Sequence, residues 1–265
     1  LSLIIGNDPP VTISFVLSVN VKLTVEYDGT DYCGWQAQPN GRAIQDVIEQ
    51  GLEKILGAKV RLNASGRTDA GVHALGQVAH FIHDGEIDLR RLQRGLNAVT
   101  PDDIVIRKVE IAPDSFDARR DARARGYQYR IWNDRWPPAI ARRFSWHVHD
   151  PLDLAAMQQS IRDLEGEHDF ASFQAAGCDA AHSVRRIDRN ALAREGELLL
   201  YDVEANAFLR HMVRNIVGTL VEVGRRERAP ASFAELLRAK DRTQAGPTAP
   251  PQGLFLMEVK YKDER

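Results

Sequence analysis

The chain has 265 residues, 43% of them hydrophobic and 27% charged. That is ordinary globular composition at a length that buries a core without covalent staples. Two distant cysteines, Cys33 and Cys178, argue against a disulfide scaffold or a cysteine-rich zinc site and fit a cytoplasmic location. The formal net charge of -2 excludes a uniformly basic chain, but the charge is unevenly spread. Arg119 to Arg143 hold eight arginines and two aspartates, and further arginines follow at 185, 186, 189, 210, 214, 225, 226 and 228. One such cluster reads equally well as a solvated face. Their recurrence favours an anionic partner, because guanidinium forks match phosphate geometry.

Residues 1–20 read as a poorly ordered N-terminal extension. Their apolar runs are broken by Asp8-Pro9-Pro10, too short to span a bilayer and unlike a signal peptide. Val21, Leu23, Val25 and Tyr27 alternate with polar residues and predict a strand. Ile44 to Leu56 has helical spacing and ends at Gly57. A short strand at 59–64, a glycine-punctuated loop at 65–75 and a strand at 76–82 follow. Asp88 caps a helix carrying Leu89, Leu92 and Leu96, and Ile104 to Ile111 is a strand. This β-α-β-β-α-β order is the ferredoxin-like pattern.

The second half repeats the pattern. A strand begins at Tyr127. Asp150-Pro151 opens a helix through Leu164, closed by Gly166. Strands fall at 183–189 and 197–205, a helix runs from Phe208 to Val223, a short helix lies near 232–240, and Leu254 to Tyr261 is the last strand. The expected fold is α+β, with N-terminal (21–115) and C-terminal (116–265) halves. Their sheets would join into one broad, mostly antiparallel sheet with helices on one face and a central cleft.

The densest candidate for chemistry is Ser65 to His73, where Gly66, Arg67, Thr68, Asp69, Gly71 and His73 crowd one loop. Glycines permit sharp turns and close approach to a ligand. Arg67 and Asp69, two apart, would more naturally face a ligand together than each other. Spacing alone slightly favours the plainer reading, an Asx-type turn at Asp69. Tyr127 could be a core strand residue or a stacking platform. Arg214 could lie on a solvated helix face. His147 and His149 alternate but lack a third ligand, so no metal is expected. No P-loop or GxGxxG motif points to a nucleotide cofactor.

The stretch Ser65-Gly66-Arg67-Thr68-Asp69-Ala70-Gly71-Val72-His73-Ala74 resembles the signature of the TruA family of tRNA pseudouridine synthases. Four more segments resemble the family in the same order. They are Tyr27-Asp28-Gly29-Thr30 with Gly34-Trp35-Gln36 and Gln38-Pro39-Asn40, then Phe116-Asp117-Ala118-Arg119 followed by Tyr127-Gln128-Tyr129. Ala205-Asn206-Ala207-Phe208-Leu209 through Met212 to Gly218 comes next, and Thr248 to Leu254 is last. Together they cover essentially 21–261.

The resemblance implies an isomerase that converts uridine to pseudouridine in the tRNA anticodon stem-loop, at positions 38 to 40. It implies a homodimer that needs no cofactor. Asp69 would be the nucleophile, Arg214 its partner and Tyr127 a platform near the base, while Arg67 would hold or displace the target nucleotide. Arg119, Arg125 and Arg210 are further candidates for RNA contact. Gly126 departs from the family, where a larger basic residue is common. Whether the carboxylate attacks C1′, takes the C2′ proton or adds to C6 is left open by the residues.

Overall fold

The computed structural model describes residues 18–39, 41–178 and 180–262. The expectation for residues 1–17 lies outside these, but Ser18 to Asn20 belong to the first strand, β1 (Ser18–Tyr27), which therefore starts earlier than its apolar alternation suggested. Val21, Leu23, Val25 and Tyr27 are buried, as the alternation predicts. Asn20 is buried too, its side-chain amide donating to the carbonyls of Pro113 and Phe116. A polar residue buried through such donor bonds is invisible to a hydrophobic pattern.

Helix α1 (Ile44–Leu56) ends in a left-handed Gly57 whose N–H caps the Glu53 carbonyl. The strand expected at 59–64 shrinks to β2 (Asn63–Ala64), while the next one lengthens to β3 (His73–Asp84). Helix α2 (Leu89–Val99) is capped by Asp88 as predicted, and β4 (Ile104–Ala112) completes the first half.

In the second half β5 (Ala124–Asn133) begins three residues before Tyr127, and a short β6 (Trp146–Val148) pairs parallel to it. Helix α3 (Leu154–Ile161) is capped by Asp153, whose carboxylate accepts from the Ala156 N–H, rather than opened by Asp150-Pro151. It passes into a 3-10 turn through Leu164. A left-handed Gly166 then opens β7 (Gly166–Asp169), which the pattern did not foretell. Strands β8 (Val184–Glu195) and β9 (Leu198–Ala205) precede α4 (Met212–Gly224), α5 (Ser232–Ala239) and β10 (Leu254–Lys260). Helix α4 starts four residues later than Phe208 because His211, at φ 59°, is left-handed and cannot extend the helix backward.

Among the described residues the strands form one sheet, in the order β4-β1-β3-β10-β5-β9-β8-β7, with β2 beside β3 and β6 beside β5. Within each half the order is fourth, first, third, second, the ferredoxin-like arrangement. Pairing along the main path is antiparallel except where β10 meets β3 in parallel, through Phe255 opposite His73 and Leu256 opposite Ala74. Two cores result. One packs β1 against α1 and α2 through Leu23, Ile48, Leu52 and Leu96. The other surrounds α4. They interpenetrate at the junction: Val72, from the first half, lies in the second core, and Leu256 and Val259 of β10 lie in the first.

Candidate active site

The loop 65–72 leaves the sheet where β2 and β10 part from the same edge of β3. Its shape is fixed from several sides. The Ser65 hydroxyl pairs with the Gln77 side chain at 2.7 Å, and Gln77 donates to the Gly66 carbonyl. Thr68 meets the buried Tyr27 hydroxyl at 2.8 Å, and its carbonyl accepts from the Trp35 N–H. Gly34, at φ 96°, allows that approach; a Cβ there would stand 2.5 Å from the Thr68 carbonyl oxygen. Asp69 turns the chain, its carbonyl accepting from the Val72 N–H, and Val72 is anchored in the second core.

Asp69 is presented to a cleft of about 1690 Å³ between the halves. Its Oδ2 lies 3.0 Å from Nη1 of Arg214 and 3.4 Å from Nε2 of His211. Arg214 sits in the first turn of α4, so the positive end of the helix dipole reinforces its charge. The Arg214 guanidinium is oriented by its Nε, which donates to the Ala249 carbonyl at 2.8 Å. Ala249 in turn donates its N–H to the Arg214 carbonyl. That close approach needs Gly218, where a Cβ would fall 1.7 Å from the Pro247 carbonyl oxygen.

Tyr127 lines the same cleft, flanked on the sheet by Leu256 and Val203. Phe208 stands edge-on to its ring at 5.0 Å. Burial, and then the neighbouring Asp69 charge, push the Tyr127 phenol well above its usual pKa, so it is protonated at neutral pH. Tyr129, two residues on, is fully buried and donates to the Pro250 carbonyl. The alternation therefore holds one core tyrosine and one cleft tyrosine.

All seven residues expected at a site line this cleft, but they are used differently. Arg67, Arg119 and Arg210 are exposed. Arg210 lies before α4 rather than on it, and its guanidinium donates to the Ala176 and Gly177 carbonyls. Arg125 is partly buried and committed to four carbonyls, those of Ala122, Asn206, Ser65 and Arg119. It ties the Asp69 loop, through Ser65, to the second half, so in this structure its guanidinium serves the junction. The cleft also gathers Arg61, Arg120 and Arg185, making eight arginines against Asp69 and Asp117. Strong local positive potential thus coexists with a slightly negative chain.

His211 and Phe208 were missed as site residues by sequence reasoning. Both fall in a segment whose apolar spacing suggested continuous helix. A histidine just before an otherwise apolar helix was the available signal. His147 and His149 diverge to the Asp134 carbonyl and the Asp150 carboxylate. Among the described residues no group of His, Cys, Asp and Glu could hold a metal ion, and no helix is long and apolar enough to cross a membrane.

Two fused ferredoxin-like units, with a carboxylate held by an arginine on the wall of an arginine-lined cleft, define an enzyme built for a polyanionic substrate. Comparison with known proteins makes this specific. The sequence pattern of the tRNA pseudouridine synthase family matches residues 23–120 and 161–262. A tRNA pseudouridine synthase A of Myxococcus xanthus is 50% identical over 245 residues, spanning 92% of both chains. One from Geobacter sulfurreducens is 49% identical over 241 residues, 91% of this chain and 99% of that one. The chain belongs to this family, the TruA-type tRNA pseudouridine synthases, and its activity is isomerisation of uridine in tRNA.

Proposed function

We propose that the chain converts uridines at positions 38 to 40 of the tRNA anticodon stem-loop to pseudouridine, with Asp69 as the nucleophile. The observation that carries this reading is the 3.0 Å pair between Asp69 and Arg214 inside the arginine-lined cleft. Pseudouridine formation breaks the bond between uracil N1 and ribose C1′ and rejoins the base through C5. A carboxylate must be held where it can reach the sugar, and Arg214 fixes it there with a charged pair at 3.0 Å. The target base must first leave its stack. The Tyr127 ring offers a flat surface to receive it, while Arg67, Arg119 and Arg210 meet phosphates. The isomerisation is redox-neutral and transfers no external group, so this reading calls for no cofactor. It also takes the enzyme to be a homodimer, as the family resemblance implies, in the cytoplasm, as its two unpaired cysteines suggest.

Forming the new C5 bond releases the C5 hydrogen to solvent. Transcripts labelled with tritium at uridine C5 are expected to lose the label with wild-type protein. With Asp69→Asn the loss should stop while RNA binding remains. Normal turnover by the Asn variant would remove Asp69 from its role. Mapping pseudouridine in tRNA from cells lacking the protein tests the positions.

A further inference from the structure

We propose that His211 is the base that takes the C5 hydrogen of the target uridine. The proposal rests on the reading of Asp69 as the nucleophile at C1′. When the carboxylate attacks C1′, the N1–C1′ bond breaks and its electron pair leaves on the uracil. The uracil turns, C5 bonds to C1′, and the bond from C1′ to the Asp69 oxygen breaks, returning the carboxylate. C5 then carries both the sugar and its original hydrogen. That proton must leave, its electron pair restoring the C5–C6 double bond, while N1 gains a proton from solvent. The base that accepts the C5 proton passes it to water, so nothing is oxidised or reduced.

Geometry limits what can accept it. In a reactive pose the Asp69 oxygen stands about 3 to 3.5 Å from C1′, and C5 ends one bond from that carbon. A base at C5 must therefore sit close to the Asp69 oxygen, and His211 Nε2 is 3.4 Å from Oδ2. Its neighbours are poor acceptors. Arg214 carries donors only. Tyr127 holds its phenolic proton tightly, buried beside Asp69. The Asp69 Oδ2 is already engaged by Arg214, and a carboxylate is generically a weaker base than an imidazole.

His211 is partly buried and faces Asp69 from the catalytic loop, Arg210 and Arg214 from its own segment, and Arg242. Burial, helped by the arginines and opposed by Asp69, keeps its pKa below the usual histidine value, so the imidazole is neutral at pH 7. Its backbone adds a second sign. A non-glycine residue held left-handed, at φ 59° and ψ 7°, with no side-chain cap bond to the helix it precedes, is the kind of strain that gathers at functional positions.

The test uses full-length protein and tRNA transcripts carrying uridine or 5-deuterouridine, in single turnover. His211→Asn is the first variant because asparagine tolerates the left-handed conformation but cannot carry the proton. It should slow turnover by about 100-fold and enlarge the C5 deuterium isotope effect over that of wild type, because C5–H cleavage becomes limiting. His211→Gly, also at ease at φ 59°, should regain rate when imidazole is added. The wild-type rate should fall on acidification as His211 protonates, and the Asn variant should lose that limb. An unchanged rate in His211→Asn would overturn the proposal, as would slowing with the wild-type isotope effect. Either result leaves the loss of activity in Asp69→Asn intact. Turnover by Asp69→Asn would instead break the underlying reading.

Discussion

The two halves share one strand order but differ at its second strand. In the second half β8 is twelve residues long and pairs with β9 from Ile187 to Glu195. In the first half the equivalent β2 has two residues, opposite only His80 and Ala79 of β3. The shortened strand leaves part of the β3 edge vacant, and β10 takes it at His73 and Ala74. One truncation thus does two things. It fuses two sheets into one, and it frees the segment after Ala64 to become the loop that carries Asp69. The intact half supplies a rigid bed, with α4 almost wholly buried and Arg214 aimed from its first turn. A site on a loop gains precision when its partner sits on a packed helix.

The largest test of this division of labour is to cut the link between bed and loop. Arg214→Gln keeps a donor but removes the charge. It should lower the single-turnover rate by about 100-fold or more, with RNA affinity changed far less and thermal stability nearly intact. A loss that is mainly affinity would mean that α4 serves RNA binding and the loop positions Asp69 unaided.

A smaller effect is expected from the junction arginine. Arg125 donates to one carbonyl of the Asp69 loop and to three of the second half. Arg125→Met should destabilise the fold by about 2 kcal/mol, seen in denaturant unfolding, while the salt dependence of RNA binding stays as in wild type. Arg119→Ala should do the reverse, lowering the salt slope by about 1 with little change in stability. If the two variants exchange phenotypes, Arg125 belongs to the RNA surface after all.

This pair also shows what the sequence can disclose. Periodicity and caps placed α1, α2, β9 and β10 closely, because each rests on local spacing or a local stop such as Gly57. The fold class followed from element order; crowding alone marked the 65–73 loop as a candidate site, and the role expected of Asp69 came from the family resemblance. What failed depended on contacts between distant residues. Nothing local says that 59–62 will not pair, that the Arg125 guanidinium will meet four carbonyls, or that His211 will turn left-handed and start α4 late. Arg125 and Arg119 are alike as letters; only the fold sets one inward.

The subtlest break in the comparison is set by pH, at the seam itself. His73 begins β3 opposite β10, its ring stacked on Phe255 at 4.7 Å and tilted against Phe144 at 5.1 Å. Its Nδ1 accepts from the Gly29 N–H and its Nε2 donates to the Arg143 carbonyl, so a neutral imidazole joins the two halves. Burial lowers its pKa, opposed mainly by Asp28. The sign follows. As pH falls below the unfolded value of about 6.5, the unfolded chain takes up a proton that the folded seam refuses. Stability therefore declines on acidification until the folded form is protonated as well. His73→Gln offers an amide donor and acceptor but cannot charge. It should be less stable than wild type at pH 8, yet lose less on going to pH 5, as read from urea midpoints. His80 in the first half, also lowered by burial, remains in both proteins and cancels from the difference. Equal acid slopes would mean that the seam does not sense protons and that the acid sensitivity lies elsewhere in the halves.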